Sequence, residues 1–312
     1  MTNGKFQKVH ALRQAIESVI VNRSGIIDLV LTSLLAEGHV ILADVPGTGK
    51  TMLARALARS FNGDFRRVQF TPDVLPSDLT GTYIFNQREN KFEFRRGPIF
   101  CRILLADEIN RGTPRTQSAL LQAMEEDIVT VDNSTFDLGR PFFVIATQNP
   151  LEREGAFSLP FSELDRFMLV TSIGYPSMAE ELVMLESRRD TDPLDALKPV
   201  VSAEDIIAWQ DEVRRTRVES SLSSYLLKLV DQTRHHPNLA IGASPRATLH
   251  VQRFAQARAF MQDRDFCTPD DVQDAFLRCL PHRVFLRRDV PGAGNSAGEI
   301  LKQILTQVPV PV

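Results

Sequence analysis

Asp44-Val45-Pro46-Gly47-Thr48-Gly49-Lys50-Thr51 decides the fold. The apolar run 39–43 leads into it and a helical pattern over 52–60 leads out. Strand, glycine-rich loop and helix in that order form a phosphate-binding loop. Gly47 and Gly49 let backbone N–H groups turn inward around a phosphate, and the following helix adds the partial positive charge of its N-terminus. Lys50 reaches the β- and γ-phosphates, and Thr51 supplies a hydroxyl for Mg2+. The nucleotide-contacting run is Pro46, Gly47, Thr48, Gly49, Lys50, Thr51 and Met52. Asp44 stands where the usual pattern opens with glycine. Its carboxylate is expected to face away from the phosphates, because that position is farthest from the γ-phosphate.

Outward from the loop, strands and helices alternate. Apolar spacing predicts helices over 9–22 and 26–35 before the loop, the second ended by Gly38. After it come a strand over 65–70, a hairpin over 82–94, a fully apolar strand over 103–106 and a helix over 114–125. A second hairpin over 128–138, a buried strand over 142–147 and a short strand over 168–171 follow. From residue 176 the texture changes to helices alone, over 176–189, 203–216, 224–235, 245–261, 269–280 and 298–307. The stretch 190–199 reads as a linker and 290–297 as a loop. The pattern predicts an α/β fold, a P-loop parallel sheet sandwiched by helices, followed by a small all-α lid. The expected division is 1–175 for the nucleotide-binding domain, 176–200 for a connecting helix and linker, and 201–312 for the lid.

With 312 residues and 43% apolar content, the chain can bury a sizeable core. A net charge of −3 argues against a generic nucleic-acid binder. Cys101, Cys267 and Cys279 are scattered, which suggests neither a disulfide framework nor a zinc site. The first residues are polar and lack a signal-peptide core, and no apolar run approaches the length of a membrane span. A reducing cytoplasm is the expected location.

The second chemical element is Ile103-Leu104-Leu105-Ala106-Asp107-Glu108. An apolar strand ending in two carboxylates sets both at the carboxyl end of the sheet, beside the phosphates. Asp107 suits the Mg2+ shell and Glu108 the general base that polarises the attacking water. The third is the strand end Thr147-Gln148-Asn149-Pro150. The Asn149 amide can donate to a γ-phosphate and accept from water. Asn149-Pro150 is also an ordinary turn pair. His235-His236, neighbours on a helix, do not face each other and read as a surface helix end. Arg283, Arg287 and Arg288 read as a solvated face or a subunit contact, and Trp209 as core of the lid.

Asp107-Glu108-Ile109-Asn110-Arg111, 146–150, Leu164-Asp165-Arg166-Phe167 and Ser244-Pro245-Arg246 stand in this order behind the phosphate loop. The chain resembles an AAA+ ATPase, and specifically the MoxR family. The run 69–81, Gln-Phe-Thr-Pro-Asp-Val-Leu-Pro-Ser-Asp-Leu-Thr-Gly, is the most distinctive stretch, and 116–125 supports it. The resemblance covers nearly the whole chain. It implies that Asn149 is sensor 1, that Arg166 is an arginine finger reaching the γ-phosphate of a neighbouring subunit, and that Arg246 is sensor 2. It makes 82–94 the helix-2 insert and 128–138 the pre-sensor-1 hairpin, placing the chain in the helix-2-insert clade near magnesium-chelatase ATPase subunits. Val21-Asn22-Arg23 stands where the family has a Val-Gly-Gln run lining the adenine pocket.

The activity so implied is hydrolysis of ATP with Mg2+ by a ring, expected to be a hexamer. It is a chaperone-like factor that remodels protein complexes in maturation, assembly or metal-cofactor insertion, with a von Willebrand factor A domain protein as partner. A DNA-directed motor or loader of the same superfamily is the alternative. The mixed tip 86–90 and the acidic tip 132–134 favour protein clients. A small-molecule kinase or GTPase is disfavoured, since no guanine-reading run is present.

Overall fold

Two helices, α1 (Asn3–Glu17) and α2 (Ser24–Leu35), lead into β1 (His39–Ala43) in the computed structural model, which describes residues 3–150, 157, 159–187, 192–287 and 296–311. The phosphate loop then opens α3 (Lys50–Ser60), two residues ahead of the apolar pattern. Gly49, at φ 93°, is the last non-helical residue before it. Next come β2 (Phe65–Gln69), α4 (Pro76–Thr80), β3 (Gly81–Asn86), β4 (Lys91–Arg96) and β5 (Ile103–Asp107). A 3-10 turn at Ile109–Arg111 precedes α5 (Pro114–Glu126), β6 (Ile128–Val131), β7 (Ser134–Asp137) and β8 (Phe143–Gln148). Then follow α6 (Phe161–Leu164), β9 (Phe167–Thr171), α7 (Met178–Ser187), α8 (Pro193–Ala196), α9 (Ala203–Arg215) and α10 (Ser220–His235). The chain continues through β10 (Leu239–Ile241), α11 (Pro245–Met261), α12 (Pro269–Cys279), β11 (Phe285–Leu286) and α13 (Ala297–Gln307). Residues 190–191 of the expected linker and 290–295 of the expected loop lie outside the described residues. The remainder of that linker contains α8, started by Asp192, whose carboxylate accepts the Leu194 N–H.

The central sheet runs β2-β5-β8-β1-β9. Its first four strands pair in parallel. β1, β5 and β8 are continuous apolar runs, and Ile41, Leu104 and Ile145 are wholly buried, as expected of parallel strands covered on both faces. His39, at the start of β1, is also buried. Its Nδ1 accepts the Val144 N–H at 3.0 Å, so Nε2 carries the hydrogen and donates to the Met124 carbonyl at 3.1 Å. Burial pushes its pKa down to about 4, so the ring is neutral.

The chain divides into two compact units, residues 1–29, 39–159 and 171–207 in one and 30–38, 160–170 and 208–312 in the other. In the first unit, β3–β4 and β6–β7 are antiparallel hairpins. They meet through Phe94 and Phe136, stacked with centroids 4.1 Å apart, and through Tyr83 Oη, which donates to Ser134 Oγ at 3.0 Å. Gly81 must be glycine, because φ is 93° and a Cβ would come within 2.2 Å of the Arg95 carbonyl. Beyond the aromatic contact, Phe85 and Phe92 face each other at 5.2 Å and are 49% and 69% exposed.

Apart from most of β9 and the short antiparallel pair β10–β11, the described residues of the second unit are helical or in connections. Trp209 is buried in it. Asp271 is wholly buried and joins α11 to α12 by accepting from Arg258 and from Arg264, the latter at 2.6 Å. α10 starts at Ser220, a turn ahead of the expected 224, which puts Leu222 on its buried face. His235 is its exposed last residue.

Candidate active site

Three neighbouring strands end together on one edge of the sheet. β8 lies between β1 and β5, with Ala43 opposite Gln148 and Ala106 opposite Ala146. The phosphate loop, Thr147 to Asn149 and the pair Asp107-Glu108 therefore emerge side by side. They line a cleft of about 400 Å3 that includes Pro46, Gly47, Gly49, Lys50, Thr51 and Met52.

The loop meets the stereochemical demands of an anion cradle. Gly47 sits at φ 86° and Gly49 at φ 93°, and a Cβ on either would meet nothing within 4 Å. Glycine is required here by backbone conformation and not by space. Lys50 Nζ donates to the carbonyls of Asp44 and Val45 at 2.9 and 2.8 Å. Burial pulls its pKa below the ordinary lysine value, and Asp44, Asp107 and Glu108 oppose that shift. Asp44 is 7% exposed, and its carboxylate accepts the backbone N–H groups of Ile173 and Gly174. Those amides fix the carboxylate at the exit from β9.

Thr147 organises the two acids. It is buried, donates from Oγ1 to Asp107 Oδ1 at 2.5 Å and accepts the Glu108 N–H at 2.8 Å. Glu108 adopts a left-handed backbone at φ 54°, which turns its side chain off the line of the strand. Each acid has its own cation. Arg67 donates to Asp107 Oδ2 from Nε at 3.0 Å and from Nη2 at 2.6 Å. Glu108 Oε2 accepts from Arg111 Nη1 at 3.0 Å and from Gln69 Nε2 at 2.7 Å.

Among the described residues no group of three or more His, Cys, Asp and Glu side chains is placed to hold a metal ion. Of the oxygen donors lining the cleft, the Thr51 hydroxyl and the Asp107 carboxylate are the pair that would hold a metal ion beside the loop, with Thr147 bonded to Asp107 and Glu108 bonded to Arg111 and Gln69. That set fits Mg2+, which keeps several waters and takes its remaining ligands from substrate phosphates.

A smaller cleft of about 60 Å3 adjoins the loop, lined by Val19, Ile20, Val21, Arg23, Thr48 and Ile173 among others. Asn22 lies between two of its walls at φ 53°. Asparagine tolerates the left-handed region, which accounts for its standing where the resemblance expects glycine.

Sequence reading quoted Gln69, Arg111 and Thr147 within its motifs without giving them a role, and did not single out Arg67. The available signal was strand alternation. Arg67 and Gln69 lie two apart on β2, and Gln69 pairs with Asp107 across the ladder.

Arg166 and Arg246 belong to the second unit. Arg166 follows α6, and Arg246 lies in the first turn of α11, whose N-cap is Ser244. Arg283, expected on a solvated face or at a subunit contact, is instead wholly buried. Its Nη2 faces the carbonyls of Asp165 and Phe167 at 2.8 and 2.7 Å and His250 Nδ1, and its Nε lies 3.2 Å from the Asp165 carboxylate as an ion pair, while Nη1 has no hydrogen-bond partner among the described residues. Arg287 is exposed, and Arg288 lies outside the described residues. The structure thus gathers Lys50, Thr51, Asp107, Glu108 and Asn149 in the first unit, and Arg246 and Arg283 around Asp165, the residue before Arg166, in the second.

Residues 39–169 match the family described as "ATPase family associated with various cellular activities (AAA)", and residues 231–304 match the AAA lid domain. The uncharacterized protein YeaC of Bacillus subtilis is 48% identical over 95% of this chain and 93% of its own length. Chaperone MoxR1 of Mycobacterium tuberculosis is 36% identical over 99% of this chain and 84% of its own. A crystal structure of a Cytophaga hutchinsonii protein described as an ATPase is 34% identical and superposes with a TM-score of 0.92, covering 100% of this chain and 97% of that one.

Proposed function

The chain belongs to the MoxR family of AAA+ ATPases, and from that membership we propose that it is a ring-forming ATPase that remodels protein complexes. The AAA+ class and a chaperone-like role follow from its relatives. The rest is our reading: a hexameric ring, ATP and Mg2+ as substrate and cofactor, a protein client, a von Willebrand factor A domain partner and a cytoplasmic location. The domain limits at 175 and 201 belong to the same reading.

In this mechanism the amides of 47–51 and the N-terminus of α3 hold the β-phosphate, and Lys50 leaves the loop carbonyls for the β- and γ-phosphates. Thr51 and Asp107 would hold Mg2+, which would supply positive charge to neutralise the phosphates. Glu108 takes a proton from water as its oxygen attacks the γ-phosphorus, and the bond to the β–γ bridging oxygen breaks to release ADP. Asn149 orients that water. Arg166 of a neighbouring subunit and Arg246 stabilise charge on the transferring phosphoryl group. Supplying Arg166 in trans makes hydrolysis depend on assembly. The observation that carries the reading is the pairing of Asp107 and Glu108 on one hydroxyl, Thr147, in the same cleft as Lys50. The exposed Phe85–Phe92 pair on the first hairpin supports a protein client over a phosphate backbone.

The test measures ATP hydrolysis against protein concentration for wild type and Arg166→Ala, with light scattering on the same samples. Specific activity is expected to rise as oligomers form. Arg166→Ala is expected to bind ATP and not hydrolyse it. Activity independent of both concentration and Arg166 would overturn the reading.

A further inference from the structure

Arg283 does nothing for the nucleotide cleft directly, yet it is wholly buried and the largest such side chain among the described residues. Arginine is rarely buried without a strong reason, since desolvating the guanidinium costs several kcal/mol unless acceptors surround it. Here the acceptors converge on one short segment. Arg283 Nη2 donates to the Asp165 carbonyl at 2.8 Å and to the Phe167 carbonyl at 2.7 Å, the peptide oxygens on either side of Arg166. His282, the preceding residue, adds a second donor, with Nε2 2.9 Å from the same Phe167 carbonyl. Its ring is neutral, with a pKa pushed down to about 3 by burial and by the charge of Arg283. The backbone at 165–167 is therefore clamped by two side chains from the end of α12.

The same guanidinium reaches the α11 arginine through one carboxylate. Arg283 Nε lies 3.2 Å from Asp165 Oδ1. Asp165 Oδ2 accepts from Ser244 Oγ at 2.8 Å and stands 4.0 Å from Arg246 Nη1. Ser244 Oγ also caps α11 by accepting the Ala247 N–H at 3.0 Å, so Asp165 holds the first turn on which Arg246 stands. Arg283 Nη2 further touches His250 Nδ1, one turn along the same helix from Arg246. Since a guanidinium only donates, His250 Nδ1 is the acceptor. The network is a joint between the Arg166 segment and the start of α11, and Arg283 with Asp165 is its pivot.

We propose that Arg283 is a positioning residue that, through Asp165, fixes the segment carrying Arg166 and the first turn of α11, which carries Arg246, relative to each other. This rests on the reading that those arginines serve hydrolysis. The physical basis is that a buried forked donor with several acceptors has one low-energy orientation, whereas arginines presented from a loop and from a helix start have many. Lysine at 283 keeps the charge and loses the fork. A misplacement of about 1 Å in a group directed at the transferring phosphoryl costs up to roughly 100-fold in rate.

The experiment compares kcat, KM for ATP and binding of a fluorescent ATP analogue for wild type, Arg283→Lys, Ser244→Gly, Arg166→Ala and Arg246→Ala. Ser244→Gly removes the Asp165 contact and retains a residue acceptable at an N-cap, so the proposal stays testable if the buried substitution fails to fold. Each variant is normalised to its folded fraction by circular dichroism and to its oligomeric fraction by light scattering. The expected result is a fall in kcat of about tenfold or more for Arg283→Lys and Ser244→Gly, with analogue binding within threefold of wild type. Unchanged kcat in folded Arg283→Lys or Ser244→Gly, while Arg166→Ala and Arg246→Ala are defective, overturns the positioning role alone. A loss of analogue binding as large as the fall in kcat overturns it too, because the substitution would then act on the nucleotide site as a whole. Full activity of both Arg166→Ala and Arg246→Ala overturns the underlying reading, and the proposal with it.

Discussion

Replacing Asp44 by alanine tests how a carboxylate is accommodated at the start of a phosphate loop. In the structure Asp44 Oδ2 accepts the Ile173 and Gly174 N–H groups, and Oδ1 lies 3.3 Å from the Gly174 nitrogen. Ile173 is buried and Gly174 half-buried. A hydrogen bond to a charged acceptor contributes about 1.5–3 kcal/mol. The two share one carboxylate, so their loss is less than additive, and Asp44→Ala should destabilise the first unit by about 3 kcal/mol. Asp44→Asn keeps one acceptor oxygen and should cost about half as much. Trp209 lies in the second unit, so its fluorescence is the wrong probe. Hydrogen exchange of peptides spanning 170–176 reads the affected amides directly, and far-UV circular dichroism in urea reads the unfolding free energy. Affinity for a fluorescent ATP analogue should change less than about threefold at temperatures where the variant is folded, because the carboxylate is engaged at the β9 exit. Unchanged exchange at 173–174 with unchanged urea stability would refute the structural role. A tenfold gain in nucleotide affinity would show that the carboxylate bears on the phosphates.

Glu108→Gln should lower the rate of ATP hydrolysis by about 10²- to 10⁴-fold, with analogue binding retained, because only the proton acceptor is lost; full turnover in that variant would remove Glu108 from the role of base. Thr147→Val is nearly isosteric and breaks both the Asp107 and the Glu108 contacts. It should raise the Mg2+ concentration needed for half-maximal activity by roughly 10- to 100-fold, read from a Mg2+ titration, by analogy with other groups that orient metal ligands. Acid should destabilise the fold through His39, whose folded pKa of about 4 lies below the ordinary histidine value of 6.5. Between those values the unfolded chain binds a proton that the native chain does not, so this contribution is complete above pH 6.5 and is lost as pH falls toward 4. From pH 7.5 to 5.5 the loss is about 1.4 kcal/mol, and His39→Gln should flatten the urea-stability profile by that amount; an unchanged slope would mean that His39 is protonated in the fold.

The sheet was legible because its strands are extreme cases. Runs such as 103–106 and 142–147 are continuous and apolar, and only a strand covered on both faces accommodates them. The first hairpin was legible from Tyr83, Phe85, Phe92 and Phe94 around a polar turn and the second from its polar tip at 132–134, whereas the stacking of Phe94 on Phe136 that joins them was not. Boundaries were less so. α3 begins at Lys50 because the loop glycine sets the last left-handed residue, while the apolar pattern starts at Met52. In the cleft, the residues proposed to meet phosphate, metal or water carry a chemical signature in order along the chain. Those that hold them do not. Arg67 and Gln69 look like the polar face of a half-buried strand, and Thr147 like one more β-branched residue. Arg283 was misread because basic residues grouped near a chain end usually face solvent, and nothing in its neighbours announces that two carbonyls and a carboxylate from residues 165–167 surround it. Contacts spanning more than a hundred residues leave no local pattern.

The supporting residues of the cleft also bear on which carboxylate oxygens can act. Asp107 and Glu108 are adjacent, and at an effective dielectric of about 20 two charges 4 Å apart repel by about 4 kcal/mol. A triphosphate adds to that repulsion, so each acid is held with its own donors. Those donors are distributed unevenly. Asp107 Oδ2 accepts twice from Arg67, which uses both its lone pairs, whereas Oδ1 accepts once, from Thr147. The oxygen retaining capacity is thus Oδ1, the one whose direction Thr147 sets. Glu108 repeats the pattern: Oε2 accepts from Gln69 and Arg111, which leaves Oε1 as the oxygen that would take the proton in the proposed role of base. Thr147 therefore does more than fill space between strands. Through one hydroxyl it sets the direction of Asp107 Oδ1 and anchors the backbone turn at Glu108, so under the proposed roles Thr147→Val should impair metal dependence and turnover together. Loss of one without the other would show that the two carboxylates are positioned separately.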